Sequence, residues 1–111
     1  MSDSPPGSQQ AIRQLFPAVI DAYSGLRRAL DGTGPLDRRT RELILLAGFT
    51  VGRAEGSYKA HCRMALEAGA TPEEVRQATV ITLGANCPIE YVADGLNWAE
   101  EVIASRQHAA P

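Results

Sequence analysis

Residues 36–75 read LDRRTRELILLAGFTVGRAEGSYKAHCRMALEAGATPEEV, and the punctuation of that stretch sets the fold class. Asp37 is placed to cap a helix that carries Leu43, Ile44, Leu45 and Leu46 until Gly48 to Gly52 interrupts it. The middle of that helix is apolar nearly all round, so it is expected to be the most buried element. A second helix spans Ala54 to Ala68, with Ala54, Tyr58, Cys62, Ala65 and Leu66 as its apolar stripe and Gly69 as the residue that ends it. Thr71-Pro72-Glu73-Glu74 is a third helix start: threonine as N-cap, proline in the first turn, and a glutamate three residues on to complete a capping box.

Working outward, the apolar residues keep helical spacing. Upstream, Gln9 to Leu30 is helical, with Ile20, Tyr23, Leu26 and Leu30 as a stripe and Pro17 expected to kink or divide it. Downstream, the helix opened by Thr71 is expected to run to about Ala85. Asn86-Cys87-Pro88 then leads into a last helix carrying Ile89, Val92, Leu96, Ala99 and Ile103. Gly84 and Gly95 are helix-weakening residues whose use is close helix contact. The pattern is an all-α domain of five or six helices with short connections. Residues 1–8 are expected to be disordered, 9–105 to form a single domain, and 106–111 to be a frayed tail.

At 111 residues the chain has room for one modest core. Eleven basic against thirteen acidic residues give a net charge of −2, without the excess that a phosphate-backbone binder carries, so nucleic acid is not an expected partner. The longest nearly apolar run, Leu43 to Gly52, is about half the ~20 residues of a membrane helix, and no signal-like start precedes it. A cytoplasmic protein with no membrane partner is expected. Cys62 and Cys87 lack a CxxC or CxxH neighbour, and His61 and His108 are the only histidines, so no metal or organic cofactor is implied.

Chemistry-bearing side chains concentrate between Arg38 and Arg63. Ser57 and His61, four apart, share a helix face, and Tyr58 and Cys62 lie one position round. His61 therefore sits on the flank of the apolar stripe, where a histidine can meet a buried pocket and stay hydrogen-bonded. A structural role for it is the ordinary alternative. Glu42 can pair with one of Arg38, Arg39 or Arg41, and Cys62 can serve as a small core hydrophobe.

The stretch from Leu36 to Val75 resembles the carboxymuconolactone decarboxylase family, which includes the alkylhydroperoxidase D proteins. The resemblance rests on LDRRTRELI, on Ala60-His61 after Ser57-Tyr58-Lys59, and on ALEAGATPEE. It implies an oligomeric alkylhydroperoxidase D-like helical fold, assembled as dimers, trimers or hexamers. In the family's redox members a CxxC precedes the histidine, with a glutamate on the preceding helix. Glu42 and His61 match that glutamate and histidine, whereas the cysteine positions fall on Ala54 and Ser57. A serine hydroxyl can neither attack a peroxide as a thiolate does nor resolve a sulfenic acid. Cys62, five residues after Ser57, points about 140° away from the place the family uses.

The branch without CxxC is the closer match, and it implies a decarboxylase acting on a small carboxylated lactone or related acid. Its chemistry needs a cation for a carboxylate, a pocket that favours charge moving into the lactone carbonyl, and an acid to protonate carbon. On this reading His61 is the proton donor and Glu42 orients it or shuttles the proton. Arg53 or Arg41 holds substrate carboxylate through its guanidinium fork, and Tyr58 and Ser57 are secondary donors. The alternatives are a thiol-dependent peroxidase using Cys62 or Cys87, and a non-catalytic ligand-binding oligomer.

Overall fold

The computed structural model describes residues 6–109 and arranges them as six α-helices: α1 (Pro6–Leu15), α2 (Pro17–Asp31), α3 (Arg38–Val51), α4 (Glu55–Glu67), α5 (Pro72–Val80) and α6 (Ile89–Ala109). The first expected helix is divided at Phe16, whose φ of −141° leaves the helical region, and Pro17 opens α2 where its missing N–H costs no hydrogen bond. Helix α1 starts at Pro6 and α6 continues to Ala109. Of the expected disordered ends, residues 1–5 and 110–111 lie outside the described residues.

Helices α3 to α6 form one packed unit. Leu46, Tyr58, Cys62, Ala65, Val75 and Ala99 are fully buried at its centre, joined by Ala70, Val102 and Ile103. Asp37 caps α3 by accepting from the Thr40 amide at 2.8 Å. Thr71 and Glu74 form the capping box of α5, with bonds of 3.1 and 2.9 Å. Gly69, at φ +101°, turns the chain out of α4 in the left-handed region.

A threonine seam crosses the core. Thr50 and Thr79 each donate to the carbonyl four residues back, Leu46 at 2.8 Å and Val75 at 2.9 Å. Since the Thr79 proton is committed, Tyr58 is the donor in its 2.6 Å bond to Thr79 Oγ1. Gly95 of α6 lies over this seam, and a Cβ there would meet Thr79 Cγ2 at 2.9 Å and Thr50 Cγ2 at 3.1 Å. The close contact expected of Gly95 is present. Gly84 is not part of it: α5 stops at Val80, short of Ala85, and Gly84 sits in the following turn at φ +79°.

Helix α3 is not the most buried element. It buries Glu42, Leu46 and Thr50, one narrow face at steps of four, while Ile44 is 55% exposed. Helix α4 buries four residues, because α3, α5 and α6 all pack against it.

Helices α1 and α2 pack on each other and stand apart from this unit. No Cα of either comes within 8 Å of a Cα in α3 to α6. Ile20 is the sole buried residue of α2, and Tyr23, Leu26 and Leu30 of its expected stripe are exposed. The radius of gyration, 14.6 Å, exceeds the roughly 13 Å of a compact chain this long, as a hairpin held off the core requires.

Candidate functional site

Helices α3 and α4 pack on each other across the turn at residues 52–54. Glu42 and His61 meet between them. Glu42 Oε1 lies 2.5 Å from His61 Nδ1, and the two residues are 7% and 2% exposed. The imidazole is tilted against Phe49, ring centroids 5.0 Å apart, so its orientation is set by packing as well as by the carboxylate. A carboxylate on Nδ1 fixes the orientation of the ring.

The pair forms part of the wall of a cavity of about 420 Å³ between α2 on one side and α3 and α4 on the other. Four of the eleven basic residues of the chain line it: Arg27 and Arg28 from α2, Arg38 and Arg41 from α3. Asp31 and Glu42 are its acids, and Tyr23, Ser24 and Gln9 add polar groups. Arg41 also donates to the Asp31 carbonyl at 2.5 Å, tying the start of α3 to the end of α2. A cavity with four guanidinium groups and two carboxylates, one of them engaged by His61, is a place for an anion.

Of the side chains that the sequence singled out, Glu42, His61 and Arg41 come together here, and three do not. Arg53 follows α3 in the left-handed region at φ +57°; its guanidinium pairs with Asp94 at 3.0 Å and stacks 4.4 Å over the Tyr91 ring. Tyr58 points into the core, where it is fully buried against Thr79. Ser57, near the start of α4, is not part of the cavity wall. All three belong to the turn end of the α3–α4 pair, whereas the cavity lies at the other end.

Arg27, Arg28 and Arg38 were not singled out as ligand-binding residues. The one signal for them was the adjacent pair Arg27-Arg28 on the polar side of an amphipathic helix, which has no meaning until the 32–37 connection places α2 across from α3. The thiols lie elsewhere. Cys62 is fully buried and Cys87 is 6% exposed, neither lines the cavity, and burial pushes the Cys62 thiol up to about 11. Such a group is a thiol, not a thiolate, at neutral pH.

Among the described residues no three His, Cys, Asp or Glu side chains are grouped as metal ligands would be, and no helix is long and apolar enough to cross a membrane. No match was found among curated proteins or among solved structures. The model of the carboxymuconolactone decarboxylase family matches residues 17–101, which include Glu42, His61 and all four arginines of the cavity. With about three quarters of its length matched and an all-helical fold around the Glu42–His61 pair, the chain belongs to the carboxymuconolactone decarboxylase family.

Proposed function

We propose that this chain is a lyase that removes CO2 from a small carboxylated lactone or related acid, using His61 as general acid and Glu42 as the residue that orients it. The observation that carries the reading is the buried 2.5 Å Glu42–His61 contact at the wall of an arginine-lined cavity. Arg41 and Arg38 hold substrate carboxylate. The bond from carbon to the departing carboxylate breaks, its electron pair moves into the conjugated lactone carbonyl, and CO2 leaves. The resulting enolate takes a proton from His61 Nε2 at carbon. Glu42 balances the imidazolium before transfer, and solvent restores the proton afterwards.

A thiol peroxidase reading finds less support, because the cavity contains neither cysteine and Cys62 is held protonated. The enzymatic reading is tested by following CO2 release and product formation with 4-carboxymuconolactone and related carboxylated lactones, in the wild type and in Glu42→Gln. Turnover that falls by roughly 10²-fold or more in the variant supports it. Tight binding of every such acid with no turnover supports the non-catalytic alternative instead.

We further propose that the working form is a homo-oligomer joined through α1 and α2. Val19, Tyr23, Leu26 and Leu30 lie within about 60° of one another around α2 and are 55, 38, 55 and 45% exposed. Ile12, Leu15 and Phe16 of the same hairpin are exposed as well, at 43, 74 and 61%. At roughly 200 Å² for a large apolar side chain the seven present about 750 Å², near the ~800 Å² that each partner gives a stable interface. A second copy offering the same patch is the occupant that fits.

A further inference from the structure

The two parts of this chain are joined by little. Helices α1 and α2 bring no Cα within 8 Å of the other helices, the core contains no residue from either, and the parts are connected by residues 32–37 and by the bond from Arg41 to the Asp31 carbonyl. What faces what across the gap is unusual. Arg27 and Arg28 line the cavity from α2 and Arg38 and Arg41 from α3, with Arg41 already bonded to the Asp31 carbonyl. The chain as a whole is acidic by two charges, yet the cavity walls carry four arginines against Asp31 and Glu42. Like charges on two walls of one cavity oppose their own approach, and a separation of cavity size is comparable to a Debye length, about 8 Å at physiological salt.

The inward face of α2 is distinct from its apolar stripe. On a helical wheel Ile20, Ser24, Arg27, Arg28 and Asp31 centre about 115° from Val19, Tyr23, Leu26 and Leu30, so a second copy on the stripe leaves the arginine wall facing the cavity, with Tyr23 at the border of the two faces. We propose that a small anionic ligand is the tie between the two parts: seated in the cavity it bridges the arginines of α2, Arg28 foremost, and those of α3, Arg38 foremost, and its binding holds the α1–α2 hairpin against α3 and α4. The inference rests on the same cavity as the function proposed above and adds a consequence, that occupancy sets the stability of the hairpin. Arg28 and Arg38 are then ligand-binding residues on the α2 and α3 walls.

The coupling has a defined size. Backbone opening of α2 that requires loss of the ligand is suppressed by the factor 1 + [L]/Kd, about 100-fold at a ligand concentration of 100 Kd. The test is hydrogen exchange of the full chain with malonate as probe against sodium chloride at equal ionic strength, together with malonate titrations of Arg28→Gln and Arg38→Gln. Both arginines are exposed, and circular dichroism verifies that the variants fold. The expected result is exchange slowed toward 100-fold across residues 17–31 with α6 unaffected. Each variant should lose tenfold or more in malonate affinity and lose the protection of α2.

Malonate that binds without slowing exchange in α2 overturns the proposal, as does failure to bind at tens of millimolar, or an Arg28→Gln chain that binds as the wild type does. The result stands apart from catalysis. Protection by malonate with no turnover of any lactone keeps the tie and removes the decarboxylase reading, whereas turnover with unchanged exchange does the reverse.

Discussion

His61 and Cys62 are neighbours in sequence with opposite chemical fates, and the difference is which way each faces. His61 has a carboxylate on Nδ1 and a cavity beside it; Cys62 has only core around it. Desolvation, the largest effect on the Cys62 thiol, holds it near 11, so alkylation by iodoacetamide in the native protein should be slow at pH 8. Labelling there at the rate of a denatured control would contradict the buried placement. His61 and Glu42 were legible from the sequence, because a histidine on the flank of an apolar stripe and a glutamate one helix earlier suffice to suggest a buried pair. Arg53 misled because nearness in sequence to His61 says nothing about direction: its left-handed backbone aims it at Asp94 and Tyr91. Tyr58, three residues before His61, belongs to the buried stripe itself.

At the scale of elements, caps and close contacts were readable where their signals are local. The Thr71-Pro72-Glu73-Glu74 box and the Gly69 ending need only a few consecutive residues to recognise, and both are formed. The burial of α3 was not readable, since a run of four apolar residues does not say which neighbours will cover them. Replacing Gly95 by alanine puts a methyl 2.9 Å from Thr79 Cγ2 and should cost about 1–3 kcal/mol in chemical denaturation; an unchanged midpoint would show that α6 shifts freely over the threonine seam.

The exposed carboxylates at helix ends and between helices set an acid limit. Asp37 is held below its usual range by its bond to the Thr40 amide, Glu74 by the Thr71 amide, and Glu100 by Arg76. Each folded-state pKa lies below its unfolded value, near 4, so the unfolded chain binds more protons in the interval between the two. Their contribution is fully present above about pH 5 and is lost as pH falls through the depressed folded-state values. Through these three groups the urea midpoint should fall below pH 4. A midpoint that rose on acidification would contradict these three assignments.

For the whole molecule, the number of helices and their order followed from the sequence, but the separation of α1–α2 from the rest did not. Apolar periodicity in α2 says that Val19, Tyr23, Leu26 and Leu30 want cover, without saying whether the cover is this chain or another. The same gap hid the arginine cavity, because its two walls come from parts that share no core. Light scattering at micromolar concentration should give a mass that is a multiple of 11.9 kDa, and Leu26→Lys with Val19→Lys should reduce it toward one chain. A wild-type monomer would contradict the assignment of the stripe to a second copy.

In the proposed decarboxylation His61 is the acid that protonates carbon. The most direct test of that role is an NMR time course of 4-carboxymuconolactone with the wild type beside His61→Gln, after circular dichroism shows the same helix content in both. Substrate loss and an enol-lactone product are expected with the wild type, and a rate lower by roughly 10²–10⁴-fold with the variant. Equal rates in the two proteins would contradict it.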